Sequence, residues 1–122
     1  MNYSKKAKSY EDLGNYVMHK DGYTETNEWG CHELTAYFYE VVLLCKQILS
    51  KKGLEHANHY TIKKSLKKID KNLAAAYKNL LEASREIRYE SLNISKSSRQ
   101  EFINNYKQAL KIINKLLADK KT

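Results

Sequence analysis

The sequence predicts an all-α protein, an up-and-down bundle of four to five helices. Apolar residues recur every three or four positions in five segments, which is the spacing of one helix face. No segment alternates apolar and polar residues for long enough to form a strand. The chain has no proline and only four glycines, fewer than a fold built from tight turns normally contains. Amphipathic helices with short connections pack most simply as a bundle around one core.

The length and the apolar pattern of the chain bound its organisation. At 122 residues it is long enough for one domain with a buried core. We expect a single helical domain in which residues 1–25 form a helix and turn, residues 26–118 form the main bundle, and residues 119–122 fray. No apolar run approaches the ~20 residues that span a bilayer, and no apolar segment follows the basic N-terminus. We therefore expect a cytoplasmic protein that does not enter a membrane.

Capping residues and turn formers locate the helix ends. We expect a first helix over residues 4–20 with Ser4 as its cap, and a second over about 28–52, capped by Thr26 or Asn27 and ended by Gly53. A short third helix follows a cap at Asn58 or His59, and a fourth covers 73–92 after a break at Asn72. The last helix begins at a capping box of Ser98 and Glu101. Gly14 interrupts the weak apolar stripe of the first helix, so we expect that helix to be less stable.

The second helix carries the strongest apolar stripe of the chain. Its members are Leu34, Phe38, Val41, Val42, Cys45, Ile48 and Leu49. Tyr37 and Leu44 widen the stripe to roughly 160° of arc, whereas a helix that faces one neighbour needs about 100°. We therefore expect this helix to contact several neighbours, either within one bundle or across a dimer interface.

A lysine-rich face follows the second helix. Its members are Lys63, Lys64, Lys67, Lys68 and Lys71, with Asp70 as the one acidic residue among them. Solubility alone explains many such faces, but lysine ammonium groups also bind phosphates. The net charge of +8 favours acidic partners such as nucleic acid and nucleotides. The tyrosines expected to be exposed, Tyr39, Tyr60 and Tyr89, are suited either to stacking on bases or to an oligomer interface.

The fourth predicted helix loses its apolar face towards its end. Leu73, Tyr77, Leu80 and Ser84 share one side, which begins apolar and becomes polar. Two arginines and a tyrosine, Arg85, Arg88 and Tyr89, crowd this polar end. Because guanidinium groups bind phosphates bidentately, this cluster is the most site-like feature of the sequence.

The cysteines and histidines do not form a recognisable metal motif. Cys31 and Cys45 are fourteen residues apart in one predicted helix, about 21 Å, which excludes a disulfide within the chain. The histidines and glutamates lack the Glu-x-x-His spacing of di-iron bundles. A zinc site would need two separate segments to meet, with the ligands Cys31, His32, His56 and His59. We expect no metal and no cofactor.

Several motifs occur in a characteristic order. They are an apolar helix that ends at residues 49–53, His59 shortly after Gly53, Ile62 and Leu66 on a short helix, the segment 84–89, and a last helix with Ala109 and Leu110. This arrangement, from Glu33 to Leu117, resembles the HEPN superfamily of small helical bundles. The resemblance covers roughly two-thirds of the chain and implies an up-and-down helical fold.

The HEPN resemblance also implies a function. Such proteins are usually dimers whose polar helix segments face each other across a cleft, and many are ribonucleases whose signature is an arginine followed four to six residues later by a histidine. Many are toxins paired with a small nucleotidyltransferase antitoxin, whereas others are inactive and bind nucleotides. In this chain no histidine follows His59, so neither Arg85 nor Arg88 completes the signature.

We therefore expect a homodimeric, non-catalytic binding protein in a toxin–antitoxin or defence setting. Its partners would be RNA, a nucleotide or a nucleotidyltransferase-type protein. The expected contacts are Arg85, Arg88, Tyr89, Lys63, Lys64, Lys67, Lys68 and His59. Two alternatives stay open: a ribonuclease with a non-standard site around Arg85 and Tyr89 or Glu90, and a structural adaptor bundle.

Overall fold

The computed structural model describes residues 2–89 and 93–118, with the side chains of Arg88 and Tyr89 excepted. Its helices are α1 (Tyr3–Val17), α2 (Glu28–Lys51), α3 (His59–Lys67), α4 (Lys71–Tyr89) and α5 (Lys96–Ala118). The described residues contain no strand, which confirms the all-α prediction. The predicted end of the fourth helix at residue 92 and the predicted frayed tail over 119–122 lie outside the described residues.

Contacts between side chains establish the directions of the outer helices. The Tyr37 hydroxyl, in the middle of α2, donates to Asn15 Oδ1 near the end of α1 at 3.1 Å. Tyr3, at the start of α1, reaches a residue beyond the end of α2, so α1 runs against α2. Arg99, near the start of α5, pairs with Glu33 near the start of α2. Seven residues further along both helices, Tyr106 of α5 meets Glu40 of α2, so α5 is parallel to α2.

The short helix α3 runs in the same direction as α2. His59 at its start lies beside Phe38 in the middle of α2, with ring centroids 5.8 Å apart. Ser65, near its end, donates to the carbonyl of Glu55, just after α2, at 2.7 Å. The turn at residues 68–70 then reverses the chain into α4. The four long helices thus alternate as predicted, and α3 is a short addition that pairs with α4.

Helix α2 is the centre of the core. It packs against α1, α3, α4 and α5. Its side chains Leu34, Phe38, Val41 and Cys45 are fully buried. The prediction of several neighbours is confirmed, and all four lie within one chain. The width of the stripe is therefore explained without a second copy.

Two predicted helix starts are wrong by a few residues. Asn2 and not Ser4 caps α1, because its Oδ1 accepts a backbone N–H of the first turn at 3.0 Å. Helix α5 begins at Lys96, ahead of the predicted capping box at Ser98. The Ser95 hydroxyl accepts the Ser98 backbone N–H at 3.1 Å and so takes the capping role.

The ends around the short helix follow the same chemistry. Asn58 caps α3 and forms a capping box with Thr61. The break before α4 lies at Asp70 rather than at Asn72, since the Asp70 carboxylate accepts the backbone N–H groups of Asn72 and Leu73. The Asp70 cap ends the α3–α4 turn and starts α4 directly behind it, so the two helices form a hairpin.

The cap of α2 provides a first prediction. Asn27 Oδ1 accepts the backbone N–H groups of Trp29 at 3.0 Å and Gly30 at 3.3 Å. We expect Asn27→Ala to lower the free energy of unfolding by about 1 kcal/mol, because these two backbone donors, and that of Thr24 at 3.2 Å, lose their acceptor. Urea unfolding followed by circular dichroism measures the change. Asn27→Ser loses the Nδ2 bond to the Gly22 carbonyl as alanine does, but it keeps a capping acceptor, and an equal loss in that variant would show that the cap is not the cause.

Candidate anion-binding groove

A basic groove of about 640 Å³ lies between α3 and α4. Five lysines line it: Lys63, Lys64 and Lys67 from α3, and Lys71 and Lys78 from α4. The other lining residues are Tyr60, Ala74 and Ala75. Because none of the lining residues is acidic, the groove has a positive potential. We call this site the lysine groove.

The spacing of residues along α3 produces one wall of the lysine groove. Lys63 and Lys64 both lie three or four residues from Tyr60 on one side and from Lys67 on the other, so the four side chains share a helix face. Ile62 and Leu66 lie on the opposite side and are buried in the core. Since these two side chains fix the rotation of α3, the lysines are directed outward along α4.

Two alanines provide the floor of the groove on α4. Ala74 is buried and Ala75 is exposed. Their small side chains leave open the volume that a leucine or phenylalanine would fill. Lysine stems are apolar, so they pack over such a floor while their ammonium groups remain in water. The groove therefore combines apolar walls with a rim of positive charge.

The predicted contact residue Lys68 lies apart from this groove. It follows the last residue of α3 and lines a separate, smaller depression formed with Gly53, Leu54 and Glu55. Lys64 lines both depressions. Four lysines were predicted to contact a ligand. Three of them, Lys63, Lys64 and Lys67, line the lysine groove together with two lysines of α4. The fourth, Lys68, does not line it.

The predicted contact residue His59 has a partner in the interior. Its Nδ1 lies 2.7 Å from the hydroxyl of Tyr77, a fully buried side chain of α4. Its ring also packs near Phe38. His59 is not among the residues that line the lysine groove. The structure places it where it joins the start of α3 to α4 and α2.

The arginines lie further along α4. Arg85 is exposed. Lys71, Lys78 and Arg85 follow one another along α4 at intervals of seven residues. Seven residues correspond to two helical turns, so these three cations follow the same side of α4. Helix α3 begins opposite Tyr77 and does not extend to Arg85. Arg88 and Tyr89 belong to the last turn of α4, but their side chains lie outside the described structure.

The other side of α4 has the opposite charge. A second groove, of about 410 Å³, lies between α4 and α5. It is lined by Glu82, Glu86 and Glu101 and by no lysine or arginine. A polyanion is repelled from this side of α4 and attracted to the lysine groove. The charge pattern of the surface therefore distinguishes two faces of one helix.

A buried ion pair joins α2 to α5. Glu33 is 2% exposed, and Arg99 Nη2 lies 3.0 Å from its Oε1. The Tyr23 hydroxyl donates to the same carboxylate. Burial, together with Glu33, raises the pKa of Tyr23 to about 12. Arg99 also donates to the carbonyl of Glu25 at 3.0 Å, so it fastens the connection between α1 and α2 onto α5.

A second buried carboxylate lies one heptad along α2. Glu40 is 6% exposed and accepts a hydrogen bond from the Tyr106 hydroxyl of α5. Lys8 and Glu11 face it from α1. Burial raises the pKa of Glu40 to about 7. Neither role was predicted from the sequence, although the signal was present: Glu33 and Glu40 lie seven residues apart among the buried positions of α2.

The proposed zinc ligands do not meet in the structure. His56 lies near Tyr3, and His59 is hydrogen-bonded to Tyr77. Cys31 and Cys45 are buried free thiols, as the sequence predicted. Within residues 2–89 and 93–118, no three histidine, cysteine, aspartate or glutamate side chains converge as metal ligands. In the same part of the chain, no helix is long and apolar enough to span a bilayer.

Comparison of the chain with known proteins gave no match to a family model, to a curated protein or to a solved structure. The resemblance to the HEPN superfamily therefore stays a prediction.

Proposed function

We propose that this protein is a non-catalytic binding protein whose ligand is a phosphate-bearing polyanion, RNA or a nucleotide, held in the lysine groove. The observation that carries the proposal is the convergence of five lysines, without an acidic neighbour, on one groove. The net charge of +8 supports it, because an excess of positive charge accelerates association with anions.

The binding free energy of such a site is the sum of several weak contacts, and it depends on the salt concentration. One exposed lysine contributes little by itself, because its charge is screened by water and salt. Five lysines that neutralise phosphates release counterions together, and this release drives binding. Each phosphate contact contributes about −0.7 to the slope of log K against log salt for a single strand. Full use of the groove corresponds to a slope of about −3 to −4.

We also infer a setting from the HEPN resemblance. The protein would form a homodimer, in which Arg85 and Arg88 of the two copies extend the basic surface, and would work beside a small nucleotidyltransferase-type protein. A toxin–antitoxin or defence system is the setting that the resemblance implies. The exposure of Arg85 supports its availability for such contacts.

The binding proposal is tested by neutralising two groove lysines. We expect Lys63→Gln with Lys67→Gln to weaken binding of a single-stranded RNA roughly tenfold at low salt and to reduce the salt slope by about 1.4, because two phosphate contacts are lost. Fluorescence anisotropy of a labelled RNA measures both quantities.

The chain offers a matched control for this variant. Lys107 and Lys111 are exposed on α5, have the same spacing of four residues, and do not line the lysine groove. Lys107→Gln with Lys111→Gln therefore removes the same charge elsewhere, and we expect its affinity to stay within about twofold of the wild type. Equal losses in the two variants, or no loss in either, would contradict the lysine groove as the binding site.

A further inference from the structure

We propose that Tyr60 is a base-stacking residue and that the lysine groove therefore selects single-stranded nucleic acid over duplexes and inorganic polyphosphate. This inference rests on the proposed function, since it assigns a ligand class to the same groove. Tyr60 is 68% exposed, although its ring is large and apolar. No packing role in the described fold accounts for that ring.

The other tyrosines whose contacts are described differ from Tyr60. Tyr77 and Tyr37 are buried, and Tyr106 stacks on Tyr37 with ring centroids 4.8 Å apart. Tyr16 is exposed, but its ring lies under the Lys20 ammonium group at 4.8 Å. Within the described residues, Tyr60 has no such ring or cation contact, so most of its ring is available to a ligand.

The position of Tyr60 in the groove matters as much as its exposure. The turn at residues 68–70 closes one end of the lysine groove, beside Lys67 and Lys71. The other end is open, because α3 begins at His59 opposite Tyr77. Tyr60 and Lys78 stand at this open end. A chain of phosphates that enters the groove therefore passes the tyrosine ring.

The distances along the helices fit an oligomeric ligand. From Tyr60 to Lys67 the groove follows seven residues of α3, or about 10 Å. Arg85 lies a further seven residues beyond Lys78 on α4, again about 10 Å, past the start of α3. A strand that leaves the groove beside Tyr60 thus meets another exposed cation. One phosphate group would occupy only a fraction of this length.

The width of the site disfavours a duplex. Packed helices lie about 8–10 Å apart between axes, so the furrow between α3 and α4 is narrow. One strand fits such a furrow, and lysines on both sides reach its phosphates. In a duplex the bases already stack on one another and their faces are not available to Tyr60. An unpaired base presents the π-face on which an aromatic ring stacks.

The test compares an oligouridylate of about ten nucleotides with two other polyanions: the same strand in a duplex, which carries about twice its charge, and inorganic polyphosphate of matched charge. We expect the oligouridylate to bind at least tenfold tighter than the other two. Tyr60→Ala should weaken oligouridylate binding about tenfold, within the roughly 5- to 150-fold that one base–aromatic stack contributes, and leave polyphosphate binding unchanged. Tyr60→Phe keeps the ring and should retain affinity within about twofold.

The outcomes separate this inference from the proposed function. If the Lys63 and Lys67 variant loses all three ligands while Tyr60→Ala changes none of them, the polyanion site stands and the stacking role is wrong. If the lysine variant keeps full affinity for every ligand, the proposed function and the inference both fail. Equal wild-type affinity for strand, duplex and polyphosphate also overturns the inference. Circular dichroism confirms that Tyr60→Ala, a surface substitution, remains folded.

Discussion

Replacing Arg99 with alanine is expected to lower the free energy of unfolding by about 3–5 kcal/mol. The reason is the carboxylate that the substitution leaves behind. Glu33 is 2% exposed and its Oε1 lies 3.0 Å from Arg99 Nη2. Without the guanidinium the buried carboxylate keeps neutral donors such as the Tyr23 hydroxyl but no cation, and it must lose its charge or draw water into the interior. Chemical denaturation of the wild type and the variant measures the difference.

A double substitution provides the control for this prediction. Replacing Arg99 with methionine and Glu33 with leucine together removes both charges and fills the same space with apolar groups. Exchanging a buried ion pair for such groups is often neutral or stabilising, so most of the loss should be recovered. An alanine variant within about 1 kcal/mol of the wild type would instead show that the ion pair contributes little to the fold.

Replacing Glu40 with glutamine is expected to stabilise the protein by about 2–3 kcal/mol at pH 8 and to have little effect at pH 4.5. The ordinary pKa of a glutamate, 4.5, is raised by burial to about 7 in the folded chain. Between these two values the folded state keeps a proton that the unfolded state releases. Wild-type stability therefore falls as the pH rises from 4.5 to 7 and levels off above 7. Glutamine carries no charge and does not undergo this loss.

Urea unfolding at several pH values between 4.5 and 8 tests the Glu40 prediction. The difference between variant and wild type isolates this carboxyl group from the other titrating residues, which both proteins share. Tyr106→Phe serves as a second variant, because it leaves the carboxyl buried and removes its hydrogen-bond donor. We expect it to be more harmful above pH 7 than at pH 4.5. Parallel pH profiles for the wild type and Glu40→Gln would refute the assignment.

The sequence alone located the helices because their signals are local. The spacing of apolar residues identified the buried face of α2. Asn27 and Asn58, which cap α2 and α3 in the structure, were both among the capping residues predicted from the sequence. The cap of α5 was misplaced because two serines, Ser95 and Ser98, have equivalent side chains and only the backbone path selects between them. Gly14 was interpreted as a weakness of α1. In the structure a Cβ at this position would overlap the Tyr37 ring, so the glycine permits the close approach of α1 to α2.

The candidate site was only partly predictable from sequence. Exposed lysines along α3 follow from its helical period, but their convergence with Lys78 depends on the hairpin that α3 forms with α4. Lys68 belongs to the same run in sequence and lies outside the groove because α3 ends just before it. His59, expected to meet a ligand, is hydrogen-bonded to a core tyrosine of another helix.

Helix type, buried stripes and net positive charge were determined by the sequence itself, since each depends on residue identity and on the fixed period of a helix. Tertiary structure alone decided which charges meet. It buried Glu33 and Glu40 in α2, gave the first Arg99 and the second the Tyr106 hydroxyl as a partner, and gathered five lysines between α3 and α4. The physical reason is that desolvation and electrostatic interaction depend on distances in space, which side chains far apart in sequence acquire only when the helices pack.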